Sequence, residues 1–184
     1  MKSKELSEVV HNISLIHVHP KYNPDDITND IAVLEVDPEI KFTNRVQPVC
    51  LPSSDESQTA DQEIGWVTGW GTTSENGRVS NRLKQADVPF VSAQKCNEHQ
   101  SIQKKIQICA GEAGEDACQG DSGGPLVKEN KYNHWFQYGV VSNGIGCARA
   151  EFPGIYTRVS TFCSFIRSAT NNHVSCHNPN HFRD

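Results

Sequence analysis

An all-β fold with one C-terminal helix is predicted, and three observations carry the prediction. Short runs rich in β-branched and aromatic residues recur along the chain, at Ile31 to Val36, Trp66 to Gly69, Leu83 to Val91 and Trp135 to Ser142. Polar segments dense in Gly, Pro, Asn and Asp separate them and interrupt regular structure. Helical spacing or capping appears only twice, after Ser92 and after Val159.

Taken in order, residues 1 to 12 are polar and lead into Asn12-Ile13-Ser14, an acceptor pattern for N-glycosylation in a secreted protein. A short apolar run, Ile13 to Val18, ends at His19-Pro20, and the segment Tyr22 to Asn29 reads as turns. Ile31 to Val36 is nearly continuously apolar and is expected to be a buried strand. Asp30 stands at its mouth, where a carboxylate caps a turn or holds a buried partner. Prolines bracket Cys50 in Val46 to Pro52, and Trp66 to Gly71 runs from a strand into a Gly-aromatic turn. Thr72 to Ser80 reads as a flexible surface loop. Ser92 offers an N-cap for a short helix through about His99. Phe162, Phe165, Ile166 and Ala169 fall at helical spacing behind Ser160, a candidate cap, and the polar tail from Cys176 to Asp184 is expected to be disordered.

The bulk numbers narrow the function classes. With 184 residues, 36% of them hydrophobic and 21% charged, the chain suits one compact globular unit. A net charge of −5 argues against nucleic acid as a partner, because phosphate binding requires a basic face. No apolar run reaches the roughly 18 residues of a membrane span, so no membrane partner is expected. Seven cysteines suggest disulfides and an oxidising compartment, yet Met1 to Pro20 has no apolar signal-peptide centre. That conflict points to an incomplete N-terminus.

The most informative stretch is Asp116-Ala117-Cys118-Gln119-Gly120-Asp121-Ser122-Gly123-Gly124-Pro125. It is poor material for a helix or a central strand. Glycines on both sides of Ser122 free the backbone to turn amides toward a point beside the hydroxyl, as an oxyanion hole requires. The run resembles the nucleophile segment of the chymotrypsin-like serine proteases, nearest the invertebrate secreted proteases of haemolymph or venom. The resemblance implies a double β-barrel: a trypsin-like peptidase domain over 1–170, with an incomplete first barrel and connector in 1–52, a near-complete second barrel in 65–159, a C-terminal helix in 160–170, and a tail in 171–184.

It also implies roles. Ser122 is the nucleophile, Asp30 the carboxylate that orients the base, and the amides of Gly120 and Ser122 the oxyanion donors. Asp116 lies at the floor of the primary pocket, Gly144 and Gly154 on its walls, and Ser142 to Gly144 offers backbone to a peptide substrate. Asn143 stands where relatives usually carry Trp. Asp121 matches the residue that receives a new N-terminal ammonium on activation; lacking one, it should sit in a zymogen-like arrangement or find another donor. Disulfides are implied between Cys96 and Cys109 and between Cys118 and Cys147, whereas Cys50, Cys163 and Cys176 are left unassigned. A further bridge of the family is replaced here by Gly65 and Lys128. No metal site or cofactor is expected, since no cysteine or histidine spacing suits zinc.

The family's Thr-Ala-Ala-His-Cys type segment, which carries the base, does not precede Asp30. His11, His17 and His19 read as loop imidazoles; His99, His134, His173, His177 and His181 match no catalytic position. The expectation is therefore an extracellular trypsin-like endopeptidase by lineage, cleaving after Arg or Lys and answering to serine protease inhibitors, whose 184 residues are truncated and inactive as they stand. The alternative is a non-catalytic homologue that binds basic peptides or acts as a decoy.

Overall fold

The computed structural model describes residues 8–182. Two antiparallel strands come first, β1 (Asn12–Val18) and β2 (Ala32–Asp37), with Ile16 opposite Leu34 and His17 opposite Val33. Here the expectation of a buried strand fails. Leu34 is 50% exposed and Ile16 55%. The strand assignment follows from β-prone residues, but no third strand pairs with this ribbon among the described residues, so most of its apolar side chains remain in solvent. Only Ile31 and Val33 pack inward, against Val159, Phe162 and Ile166.

The body of the protein is a closed six-stranded barrel in the order β3-β4-β5-β8-β7-β6. Its strands are β3 (Ile64–Gly69), β4 (Lys84–Val91), β5 (Gln107–Ala110), β6 (Pro125–Glu129), β7 (Trp135–Asn143) and β8 (Gly154–Arg158). All neighbours are antiparallel, and β6 returns to β3 through Trp66 opposite Val127 and Val67 opposite Leu126. Val88, Phe90, Leu126, Phe136, Tyr138 and Tyr156 fill the interior, each no more than 1% exposed. The Val, Leu and Phe side chains each contribute about 1.5–3 kcal/mol by leaving water, whereas the buried hydroxyl of Tyr138 lacks a hydrogen-bond partner among the described residues and offsets part of that gain. With this core the chain is all-β, as expected, with a second sheet and a short C-terminal helix.

The helical segments are shorter than expected. Ser92 caps α1 (Ala93–Cys96) by accepting from the Lys95 amide at 3.3 Å, but the chain leaves the helix at Asn97 rather than near His99. After β8 a single 3-10 turn, Val159–Phe162, precedes α2 (Cys163–Ala169). Ser160 lies inside that turn and is not the cap; Phe162 is the N-cap of α2 and makes no side-chain capping bond.

Covalent and buried polar ties hold the periphery to the barrel. Disulfides join Cys96 to Cys109, Cys118 to Cys147 and Cys163 to Cys176, and half-buried Cys50 stands outside them. The tail is ordered as far as Phe182, contrary to expectation, and its last two residues lie outside the described ones. Cys176 is bonded to α2, the His177 amide donates to Leu51 O at 2.8 Å, Asn130 Nδ2 donates to Pro179 O at 2.9 Å, and Phe182 packs on the barrel core. A polar composition did not reveal a segment pinned by a disulfide and backbone pairing. The connector is anchored by Arg158, whose Nη1 donates to Asp55 Oδ1 at 2.7 Å, with the Asp55 side chain 4% exposed. Lys128 Nζ, on β6, pairs with Glu63 at 2.5 Å.

Candidate active site

The segment from Asp116 to Pro125 links β5 to β6 and lies against the ends of β3, β7 and β8. Tight turns dictate its course. The Asp121 amide donates to Cys118 O at 3.0 Å, the Gly124 amide to Asp121 O at 2.8 Å, and the Gly123 amide to Val141 O on β7 at 2.9 Å. Gly120 and Gly123 adopt φ of +96° and +80°, the left-handed region that side chains disfavour. Ser122 is thereby left exposed at the surface of the loop. Among the described residues the amides of Gly120 and Ser122 make no hydrogen bond, so both remain available as donors.

A cavity of about 220 Å³ opens beside Ser122. Asp116 lies in its lining together with Ser142, Asn143, Gly144 and Gly154. Of the two wall glycines, Gly154 is spatially required, because a Cβ there would stand 2.7 Å from Asp116 Oδ1, whereas one on Gly144 would make only ordinary contact with Gly154 Cα at 3.7 Å. The Asp116 carboxylate accepts from the Ala117 amide at 2.8 Å and the Ala148 amide at 3.1 Å. Burial pushes its pKa up to about 6, against those two amides, and the neighbouring Asp121 charge adds to the rise. Near neutrality the carboxylate is largely ionised, and among the described residues no cation pairs with it, which suits it to a buried basic group.

Asp30 reaches the same region from the other sheet. Its Oδ2 accepts from Ser142 Oγ at 2.7 Å, and its main-chain oxygen accepts from Thr157 Oγ1 of β8 at 2.7 Å. Asn29, at φ +51°, makes the turn that delivers it. The structure thus brings Asp30, Ser142, Ser122 and Asp116 to one end of the barrel.

Asp121 points away from the cavity, behind the loop. Its Oδ1 accepts from the Gly71 amide at 2.8 Å and its Oδ2 from the Cys118 amide at 3.1 Å. The carboxylate occupies space that a side chain on Gly69 or Gly71 would fill. The Gly-aromatic turn after β3 and the nucleophile loop are therefore complementary parts. Among the described residues, two backbone donors satisfy Asp121.

The histidines are elsewhere. His19 sits edge-on to Phe162 and Phe165, and its Nδ1 accepts from the Lys21 amide; burial, aided by Lys21, lowers its pKa. His17 lies in β1, His99 packs on Phe152, and His134 and His177 pack on Phe182. Among the described residues no hydrogen bond joins Ser122 or Asp30 to an imidazole. No three His, Cys, Asp or Glu side chains gather as a metal site would require among the described residues.

Sequence reasoning missed one contact at the pocket wall. The loop Thr72 to Ser80 is not a free surface loop. Thr72 pairs with Gln119, the Ser80 amide donates back to Trp70 O at 3.0 Å, and Glu75 takes a two-pronged hydrogen bond from Arg149. Polar composition alone signals solvent, and partners 74 residues apart in the chain leave no local pattern.

The family model described as Trypsin matches residues 1–166. A curated protein, Trypsin-1 of Astacus astacus, is 38% identical over 172 residues, covering 91% of this chain and 71% of that protein.

Proposed function

The chain belongs to the trypsin family of serine proteases, and from that premise we propose that its cavity receives an Arg or Lys side chain of a protein substrate or inhibitor. The observation that carries the reading is the Asp116 carboxylate in the lining of a cavity that Ser122 also lines. The basic side chain enters between Gly144 and Gly154 and pairs with Asp116, which presents the scissile carbonyl to Ser122. Attack by Ser122 Oγ places negative charge on the carbonyl oxygen, and the amides of Gly120 and Ser122 are the donors nearest in sequence to receive it. Attack also requires an imidazole base, oriented by a carboxylate in the position of Asp30, to take the Ser122 proton, and among the described residues no imidazole bonds to either side chain. Three disulfides support an extracellular setting, as is typical of the family.

Among the described residues no imidazole bonds to Ser122, and this chain is proposed to bind basic peptides far better than it cleaves them. Loss of the base in a serine protease lowers turnover by about 10⁶. That observation also favours the second reading, a non-catalytic homologue that holds a basic peptide or acts as a decoy. A serine-directed fluorophosphonate tests the point. Labelling of Ser122 far slower than in an active trypsin is expected; fast stoichiometric labelling contradicts it. Should the chain hydrolyse peptides at all, cleavage after Arg or Lys is expected, and equal turnover after Phe refutes the role given to Asp116.

A further inference from the structure

The wall of the pocket at residues 146–149 is held by a contact with no evident part in the chemistry. Arg149 Nε donates to Glu75 Oε2 at 3.0 Å and its Nη2 to Glu75 Oε1 at 2.7 Å. The Cys147 amide also points at Glu75 Oε2, at 3.4 Å. Glu75 therefore grips the chain on both sides of Ala148. Gly146, at φ +77°, has no side chain, and a Cβ there would collide with the Arg149 Nε and the Glu75 carboxylate. The sequence thus leaves room for this fork.

Ala148, between the gripped residues, adopts φ +54°. A residue with a Cβ enters that left-handed region only when its surroundings hold it there. In this conformation its amide donates to Asp116 Oδ2 at 3.1 Å, and its carbonyl accepts from the Gly114 amide at 3.1 Å. One constrained residue joins the wall of the pocket to its floor.

We propose that Glu75 and Arg149 are positioning residues for the pocket: their fork keeps Ala148 left-handed with its amide on Asp116, and so sets the grip on a cationic side chain. The consequence for ligands rests on the reading of Asp116 as a cation-binding floor. The consequence for Asp116 itself does not. An amide hydrogen bond favours the ionised carboxylate, so releasing Ala148 raises the Asp116 pKa. The other groups facing Asp116 are Asp121 of its own loop and Tyr156 of β8, with Glu75, Glu115 and Lys84 around the adjoining cavity.

The test separates position from charge. Arg149→Lys keeps the charge and removes the fork; the double variant Glu75→Gln with Arg149→Gln keeps the net charge and removes the ion pair. The Asp116 carboxyl is titrated by ¹³C NMR in each folded variant and in the parent chain. Upward shifts of about half a unit or more are expected in both variants, with weakening of p-aminobenzamidine binding of about 5- to 10-fold at pH 6. An unmoved Asp116 titration in both overturns the proposal, whatever the pocket binds. A shifted titration in a chain that never binds p-aminobenzamidine upholds the clamp and refutes the cation-binding pocket. Should the double variant fail to fold, Arg149→Lys alone decides.

Discussion

Asp116 carries a proton balance that solution experiments can read. Its folded pKa, pushed up to about 6 by burial, lies above the ordinary carboxylate value of 3.8. The folded chain therefore binds that proton more tightly than the unfolded chain does. Two consequences follow in opposite directions. Cation binding requires the ionised form, so amidinium affinity should rise from pH 5 to pH 7 and then level off, a trend that fluorescence titration with p-aminobenzamidine can follow. Folding stability from this group instead falls as pH rises between about 4 and 6, because the desolvated charge is disfavoured. Asp116→Asn should flatten that segment of the stability profile in thermal melts; an unchanged slope would mean that another group titrates there. Asp116 was legible from sequence because it sits in a contiguous loop with Ser122. Ala148 and its fork were not, since a left-handed alanine and a partner at Glu75 leave no trace in local composition.

At the scale of elements, the connector and tail are fixed by partners that sequence patterns do not announce. Arg158 at the end of β8 reaches Asp55, and the Asp55 charge adds to burial in raising the Tyr138 phenol pKa. Asp55→Ala leaves a guanidinium with a side chain 18% exposed and no carboxylate. Removing one partner of a buried pair costs about 3–5 kcal/mol, so chemical denaturation should show a loss of that size. A loss below about 1 kcal/mol would show that the anchor is dispensable. Most β-runs were readable as strands from their residue types. Whether a strand is buried depends on what covers it, which is why β2 was misjudged. The tail was misjudged because Cys176 has a partner in α2, and pairing of cysteines is a tertiary fact.

The whole molecule divides into a tightly filled barrel and a thin outer ribbon. Leu126 is fully buried, while Ile16 on β1 is half exposed. Leu126→Ala should cost about 2–5 kcal/mol, whereas Ile16→Lys should stay within about 0.5 kcal/mol. Hydrogen exchange should follow the same division, slow in β3 to β8 and faster in β1 and β2. Equal protection of both sheets would contradict it. The exposed apolar ribbon is also an aggregation hazard, and Ile16→Lys is expected to improve solubility.

Asp116 and Ser122 line one cavity, and the proposed function depends on that carboxylate receiving a cation. The most direct measurement is isothermal titration of the 184-residue chain with p-aminobenzamidine at pH 7.5, beside Asp116→Asn. Saturable one-to-one binding by the parent chain is expected, weakened about 100-fold in the variant. Absence of binding by the folded parent chain, or equal affinity in Asp116→Asn, would contradict the account.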